Sequence, residues 1–101
     1  MVTALETAFQ KDFKEDLEKA FPGCLIIKGN STMRQGVPDL LLLHEDRWAM
    51  LELKRRKNSR HETNQDYYVD KLNEMSYSSF VTPENAQEVI SEIQSSFRSR
   101  R

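Results

Sequence analysis

One cysteine, Cys24, is the whole thiol content of this chain, which excludes an intrachain disulfide framework and fits a reducing compartment. One cysteine and two histidines also fall short of a structural zinc set. No apolar run approaches the roughly 18 residues that cross a bilayer, so no membrane partner is expected. The N-terminal segment lacks the basic, apolar and small-residue pattern of a secretory signal, and the expected location is cytoplasmic. Neither sign of charge prevails, with 15 Lys and Arg against 16 Asp and Glu and a formal net charge of -1. The total therefore gives no push towards a polyanion, and only its distribution can. No internal repeat or long linker divides the 101 residues, so residues 1–101 are read as one domain.

The charge is unevenly spread. Lys54, Arg55, Arg56, Lys57 and Arg60 form one basic cluster, and Arg98, Arg100 and Arg101 another. Acidic residues gather in the first segment and around Glu84 to Glu92. A basic face can arise from such asymmetry despite the near-neutral sum.

Leu5, Phe9, Phe13, Leu17 and Phe21 recur every four residues and predict an amphipathic helix over about 3–20, ended by Pro22-Gly23. Cys24 to Lys28 reads as a short strand, and 29–36 as a loop rich in Gly, Asn, Ser and Thr. Leu40 to Leu43 and Trp48 to Leu53 are two more strands, and the polar link 44–47 is short enough to make them antiparallel neighbours. Pro38 suits the start of its strand, where a missing N–H does least harm. A second helix is expected over about 62–75. Its start is ambiguous, because Ser59 with Glu62 and Thr63 with Asp66 both have capping-box spacing. Tyr77 to Val81 is a fourth strand. Thr82 then caps a last helix with Pro83 at its first position and Ala86, Val89, Ile90, Ile93 and Phe97 along one face. The expected class is α/β (α+β), a small mixed sheet flanked by helices.

Two carboxylates and a lysine attached to these strands need an explanation, since half-buried charge is costly unless paired or bound to metal. Glu52 and Lys54 point to one side of their strand, with Leu51 and Leu53 on the other. A hairpin turning near 44–47 brings Asp39 roughly opposite Glu52. Their repulsion is relieved by Mg²⁺, which takes hard oxygen ligands and keeps several waters. The carbonyl of Leu53 is a further candidate ligand, and Mn²⁺ is expected to substitute. Such a metal activates water towards a phosphodiester, and Lys54 can orient or deprotonate that water or stabilise the transition state. The competing reading is an edge carboxylate beside a solvated Glu/Lys pair.

Taking about 100° per residue, Glu6 and Asp16 fall within the apolar arc of the first helix. Glu6 has the better case for reaching the site. Gln65 falls on the apolar face of the second helix with Tyr68, Val69, Leu72 and Met75, and an inward amide there can bond Lys54, a water or a phosphate. Tyr68 either packs beneath the site or offers its hydroxyl to the nucleic-acid backbone. Lys28, Ser31, Arg34 and Gln35 flank a strand end and are candidate phosphate contacts, as are Arg55, Arg56, Lys57 and Arg60. Gly36 permits a tight approach of backbone or substrate.

Gly36-Val37-Pro38-Asp39 followed by Glu52-Leu53-Lys54 resembles the defining motif of the PD-(D/E)XK nuclease superfamily. Gln65-Asp66-Tyr67-Tyr68 has the Gln-x-x-Tyr spacing of some of its branches. The match is best to the small virus-type replication-repair nuclease modules, the VRR-NUC group, and runs over about residues 4–82. That resemblance implies a restriction-endonuclease-like αβββαβα core and an acid from the first helix at the position of Glu6. It also implies Asp39 and Glu52 as metal ligands, Lys54 as base or stabiliser, and a phage-encoded protein in a bacterial host. Homodimers acting on branched DNA such as Holliday junctions are implied as well. The apolar positions of the last helix with Phe97 read equally as the dimer interface or as core within one subunit. The alternatives are a non-cleaving DNA-binding or nuclease-like subunit, and an exonuclease or broader phage nuclease.

Overall fold

A computed structural model describes residues 4–29, 35–56 and 58–99, with the side chains of 4–7 excepted. The elements run α1 (Ala4–Ala20), β1 (Leu25–Lys28), β2 (Leu40–His44), β3 (Arg47–Leu53), α2 (Gln65–Met75), β4 (Tyr77–Val81) and α3 (Ala86–Ser99). This is the expected order. The strands form one mixed sheet in the order β1-β2-β3-β4, antiparallel except for the parallel β3–β4 pair. None of the described helices is long and apolar enough to cross a membrane.

The strand registers assign every side chain to a layer. Leu42, Ala49 and Tyr77 are cross-strand neighbours, as are Leu40, Leu51 and Ser79, and then Leu53 and Val81. Period-two alternation puts all of them on one face. There they meet Phe13, Leu17 and Phe21 of α1 and Ala86, Val89, Ile90, Ile93 and Phe97 of α3 in a single buried cluster. The opposite face is covered by α2 over β4, where Asn73 accepts from the Ser78 N–H and Ser78 Oγ donates to the Met50 carbonyl. On that face the β1 side stays open, and Leu25 and Ile27 are exposed. The apolar stripe of α3, expected as a possible partner surface, is thus spent within the subunit.

Three boundaries differ from expectation. The β2–β3 link shrinks to Glu45-Asp46, because His44 and Arg47 still pair. Glu45 takes a φ of 60°, as the first residue of a primed hairpin turn does. Helix α2 starts at Gln65, later than 62, with Asn64 at its N-cap in the left-handed region and no side-chain cap bond. Neither capping box forms. Helix α3 begins at Ala86, since Thr82 and Asn85 bond each other's backbone N–H groups across a turn at 83–85.

Candidate active site

The β2–β3 register pairs Leu40 with Leu51, so Asp39 stands opposite Glu52 one step further on, as the sequence predicts. Pro38, fully buried, pins the approach to β2. The Asp39 backbone is held from both sides. Its carbonyl accepts the Gly29 N–H and extends the β1–β2 pairing, while its own N–H bonds the Glu52 carboxylate. On the other side of β3, the Lys54 N–H donates to the Val81 carbonyl at 2.7 Å and extends the β3–β4 pairing. Both acids are therefore placed by sheet backbone.

Burial pushes the Glu52 carboxyl above its ordinary range, and the Asp39 charge pushes it further. Lys54, the Asp39 N–H and Lys28 pull it part of the way back. A half-buried acid that repels its neighbour fits a cation between the two. Lys28 already plays part of that role, its Nζ lying 3.2 Å from Asp39 Oδ2. Lys28, expected as a phosphate contact, instead pairs with an acid of the site. Lys28 ends β1 next to Gly29, whose N–H bonds the Asp39 carbonyl, so its long side chain reaches the carboxylate around the strand end. Among the described residues no cluster of three or more acids, histidines or cysteines stands ready for a metal. Two carboxylates with several retained waters nevertheless suit Mg²⁺.

Glu52 carries a pH prediction. Because its folded-state carboxyl titrates above the ordinary value of 4.5, the neutral form favours folding, and stability falls as pH rises through the raised value. In EDTA, melting temperatures of the wild type should fall relative to Glu52→Gln from about pH 4.5 upwards. Mg²⁺ should close the gap near neutrality. Parallel melting curves with and without the substitution would count against this environment for Glu52.

Lys54 does not extend into solvent. Its Nζ donates to the Arg60 carbonyl at 3.0 Å and draws the loop between β3 and α2 over the end of the sheet. A cavity of about 250 Å³ opens beside it, lined by Phe9 and Gln10 of α1, Leu53, Lys54 and Arg55 of the β3 end, and Ser59 and Arg60. Helix α1 therefore reaches the end of β3 beside Lys54. Glu6 lies on that helix one turn before Gln10, with its side chain outside the described residues.

Gln65 is buried, as its place on the apolar face predicts. Its side-chain oxygen, however, accepts the Glu62 N–H at 2.8 Å and closes the turn into α2. Tyr68 is half-buried with its ring edge-on to the exposed Tyr67. Gln35 is exposed in the turn before Gly36, and the Arg56 N–H bonds Ser59 Oγ. Ser31, Arg34 and Lys57 lie outside the described residues. His61, which no motif singles out, stacks on Phe80. The only signal for it was its place between Lys54 and Gln65.

No family sequence model matches the chain, and no curated protein does. A solved VRR_NUC domain superposes with a TM-score of 0.69 at 25% identity, covering 88% of this chain and 97% of that one. With Asp39 and Glu52 apposed on neighbouring strands and Lys54 two residues on, this likeness across nearly the whole chain supports VRR-NUC, a branch of the PD-(D/E)XK nucleases, as the family of this chain.

Proposed function

We propose that the protein is a Mg²⁺-dependent endonuclease that hydrolyses phosphodiester bonds in DNA, with branched DNA such as four-way junctions as its preferred substrate. The observation that carries this reading is the backbone-held pair Asp39 and Glu52, with Lys54 on the same strand as Glu52. The carboxylates of Asp39 and Glu52 would hold the metal, with the Leu53 carbonyl and Glu6 as further ligands. When bound, Mg²⁺ supplies charge neutralisation and Lewis-acid polarisation of the phosphodiester.

The protein's own groups do the positioning. Glu52, raised by burial, is an acceptor for a water proton at the face where Asp39 also stands. Lys54, tethered to the Arg60 carbonyl, sets an ammonium beside the same face and offsets charge gathering on the phosphoryl oxygens. With Asp39 engaged by a cation, Lys28 would be free to meet a neighbouring phosphate. Arg55 and Arg60 at the adjoining cavity position the strand without reading its sequence.

Branched DNA calls for two sites, and about 100 residues leave little surface for both a core and a long DNA track. A homodimer joins two basic ends. Since α3 is consumed in the core, the exposed Leu25 and Ile27 of the edge strand β1 offer a surface for that contact.

A cleavage panel of four-way junction, flap, single-stranded and linear duplex DNA with Mg²⁺ or Mn²⁺ tests the reading. Paired symmetric nicks in the junction are expected, and they also report a dimer. Progressive loss from an end would point to an exonuclease instead. DNA binding without any cleavage would leave a nuclease-like subunit.

A further inference from the structure

The His61 ring is held in three ways. It stacks on Phe80 with centroids 4.0 Å apart and planes 17° from parallel. Its Nδ1 lies 2.8 Å from Asp66 Oδ1 in the first turn of α2. The preceding carbonyl, that of Arg60, accepts the Lys54 ammonium. An exposed Asp–His bond alone is worth little, and its geometry wanders. Stack, bond and backbone tether together leave the ring one orientation.

The stack puts the ring on the face of the sheet that carries the acids. Phe80 and Glu52 are partners in the parallel β3–β4 register, so their side chains rise from the same face about 4.8 Å apart, one strand spacing. His61 therefore lies over the strand beside Glu52, on the side of the sheet that carries Asp39 and Lys54. A carboxylate can only accept, so Asp66 takes the Nδ1–H and fixes which nitrogen is left. The one left is Nε2, which has no partner among the described residues, and the side chain is about a third exposed (34%).

We infer that His61 is a catalytic residue of this site, a general acid whose Nε2–H protonates the sugar oxygen that departs from phosphorus. The inference rests on the nuclease reading above. Water forms the new P–O bond and passes its proton by way of the Glu52 carboxylate to solvent. The bond from phosphorus to the sugar oxygen breaks, and that oxygen keeps the electron pair and takes the Nε2 proton. The imidazole regains a proton from solvent, with Asp66 holding Nδ1–H throughout. Asp66 acts through His61 and is a positioning residue.

The experiment compares two scissile linkages, the natural one and one in which sulfur replaces the departing sugar oxygen. A thiolate leaves without protonation, so it has no need of the acid. His61→Asn keeps a donor near Asp66 and loses the distal nitrogen. His61→Gln keeps an amide near the Nε2 position but cannot give up a proton. Both variants should lose about 10²–10³-fold in single-turnover rate on the oxygen linkage. On the sulfur linkage, measured with Mn²⁺, they should stay within about threefold of wild type. DNA affinity in Ca²⁺ should not change. Asp66→Asn should show the same pattern in weaker form. Equal losses on both linkages, or no loss on either, overturn the role of His61 while the nuclease reading stands. A wild type that cuts neither linkage overturns both.

Discussion

Asp39→Ala should lower kcat/KM for DNA cleavage by about three orders of magnitude while the protein folds and binds DNA as well as before, or more tightly. Losing a metal ligand forfeits several kcal/mol of transition-state stabilisation, and each 1.36 kcal/mol is about tenfold in rate. The fold is insulated from the change for a visible reason. The bonds that hold this position use its backbone, the carbonyl to Gly29 and the N–H to Glu52, and both survive in alanine. The side chain itself is partly exposed and touches Lys28. Removing one carboxylate beside an incoming phosphate reduces repulsion and frees the Lys28 ammonium, so affinity without metal should rise. Single-turnover cleavage and binding in EDTA measure the two effects separately. Activity within tenfold of wild type would remove Asp39 from the metal site. Glu52→Gln should lose as much activity, but through a carboxylate that also shapes stability with pH.

The legible part of this site is the part written in strand periodicity. Leu40 to Leu43 and Trp48 to Leu53 are apolar enough to be core strands, and the short polar link between them sets the register. Asp39 opposite Glu52 follows from that alone. Lys28 comes next to Asp39 only once β1 is paired with β2. Other features depend on tertiary contacts that periodicity cannot express. The apolar stripe of α3 reads equally as core or interface, and packing against β4 and α1 decided for core. Two capping boxes competed for the start of α2, and neither won: Gln65 closes the turn on Glu62, while Gly36 packs against the backbone of Thr63 and Asn64. His61 carries no motif. Its role comes from Phe80 and Asp66, which the chain brings to it only by pairing β4 with β3 and starting α2 at Gln65.

Gly36→Ala should destabilise the protein by about 2–5 kcal/mol and damage cleavage along with it. Gly36 has a φ of +91°, a region L side chains rarely adopt, which costs an alanine roughly 1–2 kcal/mol. A Cβ built there would lie 2.6 Å from the Thr63 carbonyl oxygen and 2.7 Å from the Asn64 carbonyl carbon. These are backbone atoms at the entry to α2 and cannot swing aside as a side-chain tip can, so overpacking adds about 1–3 kcal/mol. For a domain of this size each kcal/mol moves the melting temperature by about 4–8 °C. Relief can come only from moving the 35–38 turn or the start of α2. The first shifts Asp39, three residues on, against Glu52. The second shifts Asp66 and Gln65, and with them the His61 tether and the turn that Gln65 closes. Either way the acids and the loop over Lys54 lose their mutual placement, and a displacement of about 1 Å in such a site can cost on the order of 100-fold. Melting temperature and single-turnover rate, measured together well below the melting point, separate the two losses. A variant as stable as wild type would show that α2 does not rest on Gly36, and one that is less stable but fully active would show that the turn supports the fold without aiming Asp39.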